Sequence, residues 1–254
     1  MKNILSVVYV ALLVGAVFLL INDQGEDMVD TEDLTFSTTQ SWDADLYGMV
    51  GQGHTLLTPE EINSITIPEP PANNSTTTKE ELELLHEYVS LRNTETQTAI
   101  ESELDVTNIT LGNASLKEVI DTAMYPHTAT LLSKSLAEFT VLVISEKNKF
   151  DRVRPSVLDE TLTTTIEIPG HPAYPSGHAS QSRLLALILA DIHPENTENY
   201  IADANQVAKN REIAGVHYPS DSSAGQSLAE QYFAILKQKD WYQAQYAKAI
   251  EEWE

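Results

Sequence analysis

The segment from Thr128 to Phe150 constrains the fold of this chain more than any other part of its sequence. Its apolar residues recur three and four positions apart, as on one face of an α-helix; they are Leu131, Leu132, Leu136, Phe139, Leu142 and Val143. A long amphipathic helix needs other apolar surfaces to cover its buried face. Strand-like alternation is nearly absent from the sequence, and we find no internal repeat. The pattern therefore predicts an all-α fold in which this helix packs against several others.

Further helices are predicted on both sides of this segment. Thr78 with Glu81, and Ser115 with Glu118, have the spacing of a capping box at a helix N-terminus. Downstream, helical patterns cover residues 177–192, 195–216, 220–238 and 241–253. The chain has 254 residues, 42% of them hydrophobic, which is enough to bury one full core. We expect residues 78–254 to form one compact bundle of six or more helices.

The N-terminus carries an uncharged apolar segment of eighteen residues, Ile4 to Ile21. Lys2 precedes it and six acidic residues follow it before position 34, a charge order that predicts export of the body of the chain. The run exceeds a signal-peptide core of about 7–15 residues and only just reaches a membrane span of about 17–25. No clean small-x-small cleavage site follows. Residues 1–22 are expected to be a signal peptide or an uncleaved anchor held in the membrane by residues 4–21, and these observations favour the anchor. Either places the body in the periplasm or elsewhere outside the cytoplasm.

Residues 23–77 have the composition of a linker. Between positions 22 and 78 the chain has eleven acidic residues, no Lys or Arg, and many Thr and Ser. The same stretch contains a proline-rich break at Pro68–Pro71. This pattern predicts an acidic linker and N-terminal extension, with a short ordered piece around Leu56–Ile67.

The overall charge excludes some classes of partner. A net charge of −23 and a pI near 4.5 argue against nucleic acid as a ligand. They do not argue against an anionic substrate, because cations placed locally decide that. The chain has no cysteine, which rules out disulfides, thiol catalysis and thiolate metal sites.

Three short clusters between positions 147 and 221 carry the candidate chemistry. They are Lys147-x6-Arg154-Pro155, Pro175-Ser176-Gly177-His178 and Arg211-x5-His217-x3-Asp221. Together they supply three cations, two imidazoles, a carboxylate, a hydroxyl and a glycine at a helix start. Guanidinium and ammonium groups and helix N-termini are the groups that bind tetrahedral oxyanions in proteins. The clusters therefore indicate a phosphate-binding site in an otherwise acidic chain.

Each cluster alone also has a structural explanation. Cations at the end of a helix complement its dipole, Ser176 caps a turn, and Asp221 could cap a helix beside an incidental His217. In the first cluster, a spacing of seven places Lys147 and Arg154 on one helical face if the helix persists that far, whereas Arg152 and Lys149 are expected to point elsewhere. The order and spacing of all three clusters favour the functional interpretation.

Taken together, the three clusters resemble the signature of the phosphatidic-acid-phosphatase type 2 (PAP2) superfamily, which joins bacterial acid phosphatases, lipid phosphatases and vanadium haloperoxidases. The resemblance is greatest to bacterial class A non-specific acid phosphatases and covers most of residues 68–254. Two departures bear on subfamily and substrate. Asn210 stands where a serine usually precedes Arg211, and Ala173 and Ala179 flank a second cluster of a form that also occurs in haloperoxidases.

The resemblance implies a multi-helix bundle of the acid phosphatase–vanadium haloperoxidase type and a role for each motif residue. His217 would attack phosphorus and be oriented by Asp221, and His178 would act as general acid and then base. The remaining residues would hold the phosphate oxygens; they are Lys147, Arg154, Ser176, Gly177 and Arg211. No metal and no cofactor is implied. The expected partners are small-molecule phosphate monoesters. Relatives in this family often assemble through their helices, so the resemblance also suggests a homodimer.

Three other functions use the same residues. A vanadium-dependent haloperoxidase would bind vanadate in this oxyanion pocket, although those enzymes are generally much larger. An integral-membrane lipid phosphatase needs several spans, and after residue 21 the apolar runs are too short. A non-catalytic phosphate-binding surface protein would need the cations but not the pair His217 and Asp221. The sequence therefore favours an exported, metal-independent phosphomonoesterase of broad specificity.

Overall fold

The computed structural model describes residues 31–254, so the apolar segment predicted to direct export or anchoring lies outside the described residues. The described chain contains twelve α-helices: α1 (Phe36–Thr39), α2 (Ala44–Tyr47), α3 (Pro59–Ser64), α4 (Thr76–Tyr88), α5 (Thr94–Ser102), α6 (Leu116–Ile120), α7 (Pro126–Phe150), α8 (Pro155–Leu158), α9 (Gly177–Ile192), α10 (Thr197–Ile213), α11 (Pro219–Leu236) and α12 (Asp240–Ala249). Strands β1 (Thr110–Leu111) and β2 (Ala114–Ser115) form a small antiparallel pair before α6. The predicted all-α fold class is confirmed.

Helix α7 is the long helix expected from the sequence. It begins at Pro126, and proline is favoured at the first position of a helix because its fixed φ suits the helix and no amide is needed there. Most of its predicted apolar face is buried, with exposures of 3% or less at Leu131, Leu132, Phe139, Leu142 and Val143. Among the described residues it is the one helix long and apolar enough to cross a membrane, yet 61% of its most apolar window is buried inside the protein. That burial is what a core helix of a folded domain shows. Asp151 ends the helix in the left-handed conformation, with φ of 46°.

Helix α9 is the centre of the packing and has the bounds predicted for it. It lies against α7, α10 and α11, and its side chains Leu184, Leu185 and Ile188 are fully buried. Each such burial contributes about 1.5–3 kcal/mol. Gly225 on α11 faces the start of α9, where a Cβ atom would lie 2.6 Å from the carbonyl oxygen of Ser176. Glycine therefore allows the two helices to approach closely at the second motif.

One of the two predicted capping boxes is present and the other is wrong. Ser115 and Glu118 cap α6 as expected. Helix α4 instead begins two residues before Thr78, with the Ser75 hydroxyl accepting a hydrogen bond from the Thr78 amide at 3.1 Å. The Thr78 hydroxyl donates to a preceding carbonyl, and Glu81 is engaged by side chains from other parts of the chain.

The described part of the predicted acidic linker is packed against the helical domain, in one compact unit that runs from Glu32 to Glu254. Phe36 is fully buried, and its amide donates to the Asp151 carbonyl at 2.9 Å. The Glu138 carboxylate of α7 accepts the amides of Thr55 and Leu57 at 2.8 and 3.2 Å. Leu57, with Ile65 and Ile67, is buried. A few apolar residues in an acidic segment anchor it, which average composition did not reveal.

Candidate active site

The structure brings the three sequence clusters together around the start of α9. Lys147 comes from the end of α7 and Arg154 from the chain just after it. Ser176, Gly177 and His178 form the N-terminus of α9, Arg211 lies near the end of α10, and His217 and Asp221 lie at the turn into α11. Six of these eight residues are no more than 2% exposed: Lys147, Arg154, Ser176, Arg211, His217 and Asp221.

His217 is held as a neutral imidazole with its proton on one particular nitrogen. Its Nδ1 lies 3.1 Å from Asp221 Oδ2, and its Nε2 lies 3.0 Å from Arg154 Nη1. A guanidinium can only donate and an ionised carboxylate can only accept. Nδ1 therefore carries the proton and Nε2 presents its lone pair. Burial lowers the pKa of His217 well below its usual range, and Arg154 lowers it further.

Asp221 is ionised in spite of complete burial. Burial raises the pKa of a carboxyl, but Arg152 at 2.6 Å and hydrogen bonds from His217 and the Tyr218 amide outweigh it and lower the pKa of Asp221 to about 2. The carbonyl of Asp221 also accepts the Ser176 amide at 3.0 Å. Asp221 therefore ties the third motif to the second.

Arg154 and Lys147 are held in place by hydrogen bonds to backbone carbonyls. Arg154 donates to the carbonyls of Val216 and His171 at 2.7 and 2.9 Å, and its Nη2 lies 3.0 Å from His171 Nδ1. Lys147 Nζ donates to the Pro172 carbonyl at 2.8 Å. Burial lowers the pKa of Arg154 to about 10, which leaves it charged at neutral pH, and lowers that of Lys147 well below its usual range. A bound dianion would favour the charged form of both.

The N-terminus of α9 adds uncharged donors to these cations. The Ser176 hydroxyl accepts from the Ala179 amide, so Ser176 is the helix cap predicted from the sequence. The first amides of a helix have no partner within the helix and attract anions. A Cβ atom at Gly177 would lie 3.7 Å from Lys147 Cε, which places the Gly177 backbone beside the lysine side chain.

His178 and Arg211 meet at Glu103, a residue that the sequence analysis did not single out. His178 Nε2 lies 2.8 Å from the Glu103 carbonyl oxygen, so in the neutral ring the proton is on Nε2 and Nδ1 carries the lone pair. Arg211 Nη2 donates to Glu103 Oε2 at 2.9 Å and to the Ile100 carbonyl at 2.8 Å. Burial and the nearby Arg211 lower the pKa of His178 to about 4.

Arg211 retains unused hydrogen-bonding capacity inside the protein. Its Nε and Nη1 atoms are buried and have no hydrogen-bond partner within residues 31–254. Buried guanidinium donors of this kind are costly unless a ligand satisfies them. Across the same part of the chain, no group of three or more His, Asp or Glu side chains is placed to hold a metal ion. The buried groups that converge here suit an oxyanion.

Sequence reasoning missed four residues of this site. Arg152, expected to point elsewhere, contacts Asp221, and Glu81 contacts Arg152 in turn at 3.2 Å. His171, just before the second motif, contacts Arg154 Nη2 through its Nδ1. Glu103 lies more than a hundred positions before Arg211, so no local spacing could connect them. The sequence contained one clue to Glu103: Asn210 stands where relatives usually have serine, and its side-chain amide donates to Glu103 Oε1 at 2.7 Å.

Comparison with known proteins agrees with the motifs. Residues 126–244 match the family model of the PAP2 superfamily. An acid phosphatase of Zymomonas mobilis is 31% identical over 121 residues, 46% of this chain and 46% of that protein. A non-specific acid phosphatase of Salmonella typhimurium is 33% identical over 112 residues, 42% of this chain and 45% of that protein. The matched region thus spans about half the length of these relatives. The predicted resemblance is confirmed.

Solved structures support the fold independently of close sequence similarity. A holo-type bacterial vanadium-dependent chloroperoxidase superposes with a TM-score of 0.62 at 14% identity, over 82% of this chain and 56% of that one. At this identity the likeness bears on the fold alone. The multi-helix bundle expected of the acid phosphatase–vanadium haloperoxidase type is confirmed.

Proposed function

We propose that this chain, which carries a PAP2 superfamily domain, hydrolyses phosphate monoesters through a phosphohistidine formed on His217. One observation carries the proposal. The Nε2 lone pair of His217 is unprotonated and adjoins a buried guanidinium, while Asp221 holds the Nδ1 proton on the far side of the ring. Simple phosphate binding needs cations, but it does not need an oriented neutral imidazole. The similarity to proteins named acid phosphatase supports the same reaction.

The phosphate group would be held by the motif groups that meet around the start of α9. Its oxygens would accept from three cations, one hydroxyl and one backbone amide: Lys147, Arg154, Arg211, Ser176 and Gly177. Phosphoryl transfer depends mainly on positioning and on stabilisation of the equatorial charge. In this proposal the buried cations supply that stabilisation. The local cluster also explains how a chain of net charge −23 could accept an anion.

The reaction proceeds in two displacements. His217 Nε2 attacks phosphorus, the bond to the ester oxygen breaks, and the leaving alkoxide takes a proton from His178 Nδ1. A water molecule then gives a proton back to His178 Nδ1 and attacks phosphorus, and the phosphorus–nitrogen bond breaks to restore the His217 lone pair. The first step needs protonated His178. A bound phosphate dianion would raise the pKa of His178 above the value of about 4 of the free site.

Export and anchoring are part of the proposal but rest on the sequence alone. The charge order around residues 4–21 favours a body outside the cytoplasm, attached or released according to whether residues 1–22 are cleaved. Small-molecule phosphate monoesters are the proposed substrates. A homodimer and the absence of a metal requirement stay predictions.

Hydrolysis of p-nitrophenyl phosphate by the purified full-length chain, between pH 4 and 8 and without added metal, tests the activity. We expect turnover in the wild type and a loss of at least about 10³-fold in His217→Ala, since a nucleophile cannot be replaced by water in this site. His86→Ala is the matched control, because His86 is an exposed histidine whose ring contacts Asp159. Absence of turnover in the wild type across this range would contradict the proposal.

Vanadate separates the proposed hydrolase from the alternatives. As a phosphate analogue it should inhibit hydrolysis without giving halide oxidation when peroxide and bromide are added. Halide oxidation with vanadate and no phosphatase activity would favour the haloperoxidase. A non-catalytic binder would show phosphate affinity in both the wild type and His217→Ala with turnover in neither.

A further inference from the structure

Arg152 is a buried arginine that belongs to none of the three motifs yet contacts their central carboxylate. It lies in the short connection between α7 and α8, and its side chain is 2% exposed. Its Nη1 is 2.6 Å from Asp221 Oδ1. His217 contacts the other oxygen of the same carboxylate, Oδ2. Arg152 and His217 therefore share one carboxylate from opposite sides.

The position of Arg152 is fixed from several directions. Its Nη2 lies 3.2 Å from Glu81 Oε2, and its Nη1 also donates to the Ser220 hydroxyl at 2.7 Å. Glu81 accepts the Ser220 amide and hydroxyl at 2.6 and 2.9 Å. The guanidinium carbon lies 3.8 Å from the centre of the Tyr218 ring. The arginine thus joins α4 to the start of α11 through a closed network, and it has little freedom to move.

We propose that Arg152 is a positioning residue that controls the proton affinity of His217 through Asp221, with Glu81 as its own counter-charge. The reason is electrostatic. A guanidinium on one oxygen of Asp221 offsets part of the negative charge that would otherwise favour an imidazolium at His217. Protonation of His217 at Nε2 would remove the lone pair that attacks phosphorus. Arg152 therefore keeps the nucleophile neutral while Asp221 still fixes its orientation.

Other charged or titratable groups stay beside the pair when Arg152 is replaced, although Tyr218 loses the guanidinium that lies on its ring. The further titratable or charged groups that face His217 and Asp221 are Lys147, Arg154, His171, Tyr174, Glu212 and Tyr218. With all of these groups in place, burial is the largest cause of the lowered pKa of His217. The sign expected for loss of Arg152 is an upward movement of that pKa, because one positive charge leaves the surroundings of the pair.

The test is a titration of the His217 ring by ¹⁵N NMR in the full-length chain, which needs no catalytic activity. In Arg152→Met we expect the apparent pKa of the His217–Asp221 pair to rise by about one unit or more, a tenfold change in the protonated-to-neutral ratio. Arg152→Lys keeps the charge and should stay near the wild type. A rise of the same size in the lysine variant would overturn the electrostatic role, as would no rise in Arg152→Met.

A second pair of variants keeps the test valid if Arg152→Met folds poorly. Arg152→Met with Glu81→Gln removes a cation and an anion together, which avoids an unpaired buried charge at Glu81, and it should still raise the pKa of His217. Glu81→Gln alone should not raise it. If Glu81→Gln raises it as much as the double variant does, the network only holds the fold together.

This inference rests on the proposed function only for the role of His217 as nucleophile, and the two can fail separately. A wild type without phosphatase activity but with the expected movement of the His217 titration would refute the hydrolase and leave the role of Arg152 standing. An active wild type in which Arg152→Met leaves both the titration and the acid limb of kcat/KM unchanged would refute only the role of Arg152.

Discussion

Replacement of Asp221 by Asn tests the assigned tautomer of His217 with almost no change of shape. Asp221 accepts from Arg152 at Oδ1 and from His217 and the Tyr218 amide at Oδ2. An Asn side chain has one acceptor and one donor. Arg152 can only donate, so we expect the amide oxygen to face it and the NH₂ group to face His217. The NH₂ group would then donate to Nδ1 and move the ring proton to Nε2, toward Arg154.

The expected loss is large because the nucleophilic lone pair is removed rather than weakened. In a serine protease the equivalent Asp-to-Asn change costs about 10⁴-fold through the wrong tautomer. We expect kcat/KM to fall by about 10³–10⁴-fold, or about 4–5.5 kcal/mol of transition-state stabilisation. The NH₂ group would also oppose the Tyr218 amide. We expect that conflict to lower the free energy of unfolding by about 1–3 kcal/mol.

Two measurements on the same protein decide the matter. Steady-state hydrolysis of p-nitrophenyl phosphate gives kcat/KM, and ¹⁵N NMR of the histidine rings shows which nitrogen of His217 carries the proton. Asp159→Asn is the matched control, because Asp159 contacts a histidine at 2.8 Å, His86, on the outer part of the protein. The reasoning is refuted if Asp221→Asn keeps the proton on Nδ1 and loses less than tenfold in kcat/KM.

Three further predictions concern stability and the phosphate cradle. The pKa of His178 is about 4 in the folded protein and about 6.5 when unfolded. Its contribution to stability is therefore full above pH 6.5 and falls by about 1.4 kcal/mol per pH unit as the pH drops from 6.5 to 4. Urea unfolding at several pH values should show that His178→Asn loses less unfolding free energy on acidification than the wild type does. Gly225→Ala should lower Tm and kcat/KM together, because its methyl group would press on the Ser176 carbonyl; calorimetry and kinetics check this, and an unchanged Tm would contradict it. Glu103→Gln should reduce kcat/KM at least about tenfold with a Tm within a few degrees of wild type, because the amide weakens the charge-assisted hold on Arg211; unaltered kinetics would show that Glu103 only fills space.

The parts of the fold that follow from local spacing could be predicted from the sequence. The apolar period of α7 and the Ser-Gly start of α9 are both encoded within a few neighbouring residues. The start of α4 differs from the prediction because the Ser75 hydroxyl, and not that of Thr78, accepts from a first-turn amide. A helix cap depends on a choice between adjacent hydroxyls that composition does not resolve.

The residues of the site also divide into those that local sequence patterns reveal and those that they do not. Its eight motif residues could be named from three clusters, since each cluster is short and its order is informative. The supporting residues could not, because Glu81 and Glu103 reach the site from α4 and from the end of α5 across long stretches of chain. Arg152 was misjudged for a related reason. Asp151 ends α7 with a left-handed residue, so the regular helical geometry used to orient Arg152 no longer applies there.

The acidic segment shows the limit of reasoning from composition. Its charge and hydroxyl content predicted a linker, but Phe36 and Leu57 are buried, and the Glu138 carboxylate accepts the amides of Thr55 and Leu57. A handful of apolar side chains is enough to hold such a segment when a buried carboxylate satisfies its amides.

The most direct test of the account is detection of the phosphoenzyme. Rapid acid-free quenching of the full-length His178→Ala variant with p-nitrophenyl [³²P]phosphate should give a protein-bound label that is labile to acid and stable to base. The p-nitrophenolate group leaves without a proton donor, while hydrolysis of the intermediate needs the base that this variant lacks. Peptide mapping should place the label on His217, and His217→Ala should carry none. An active enzyme that yields no label, or a label on another residue, would contradict the account.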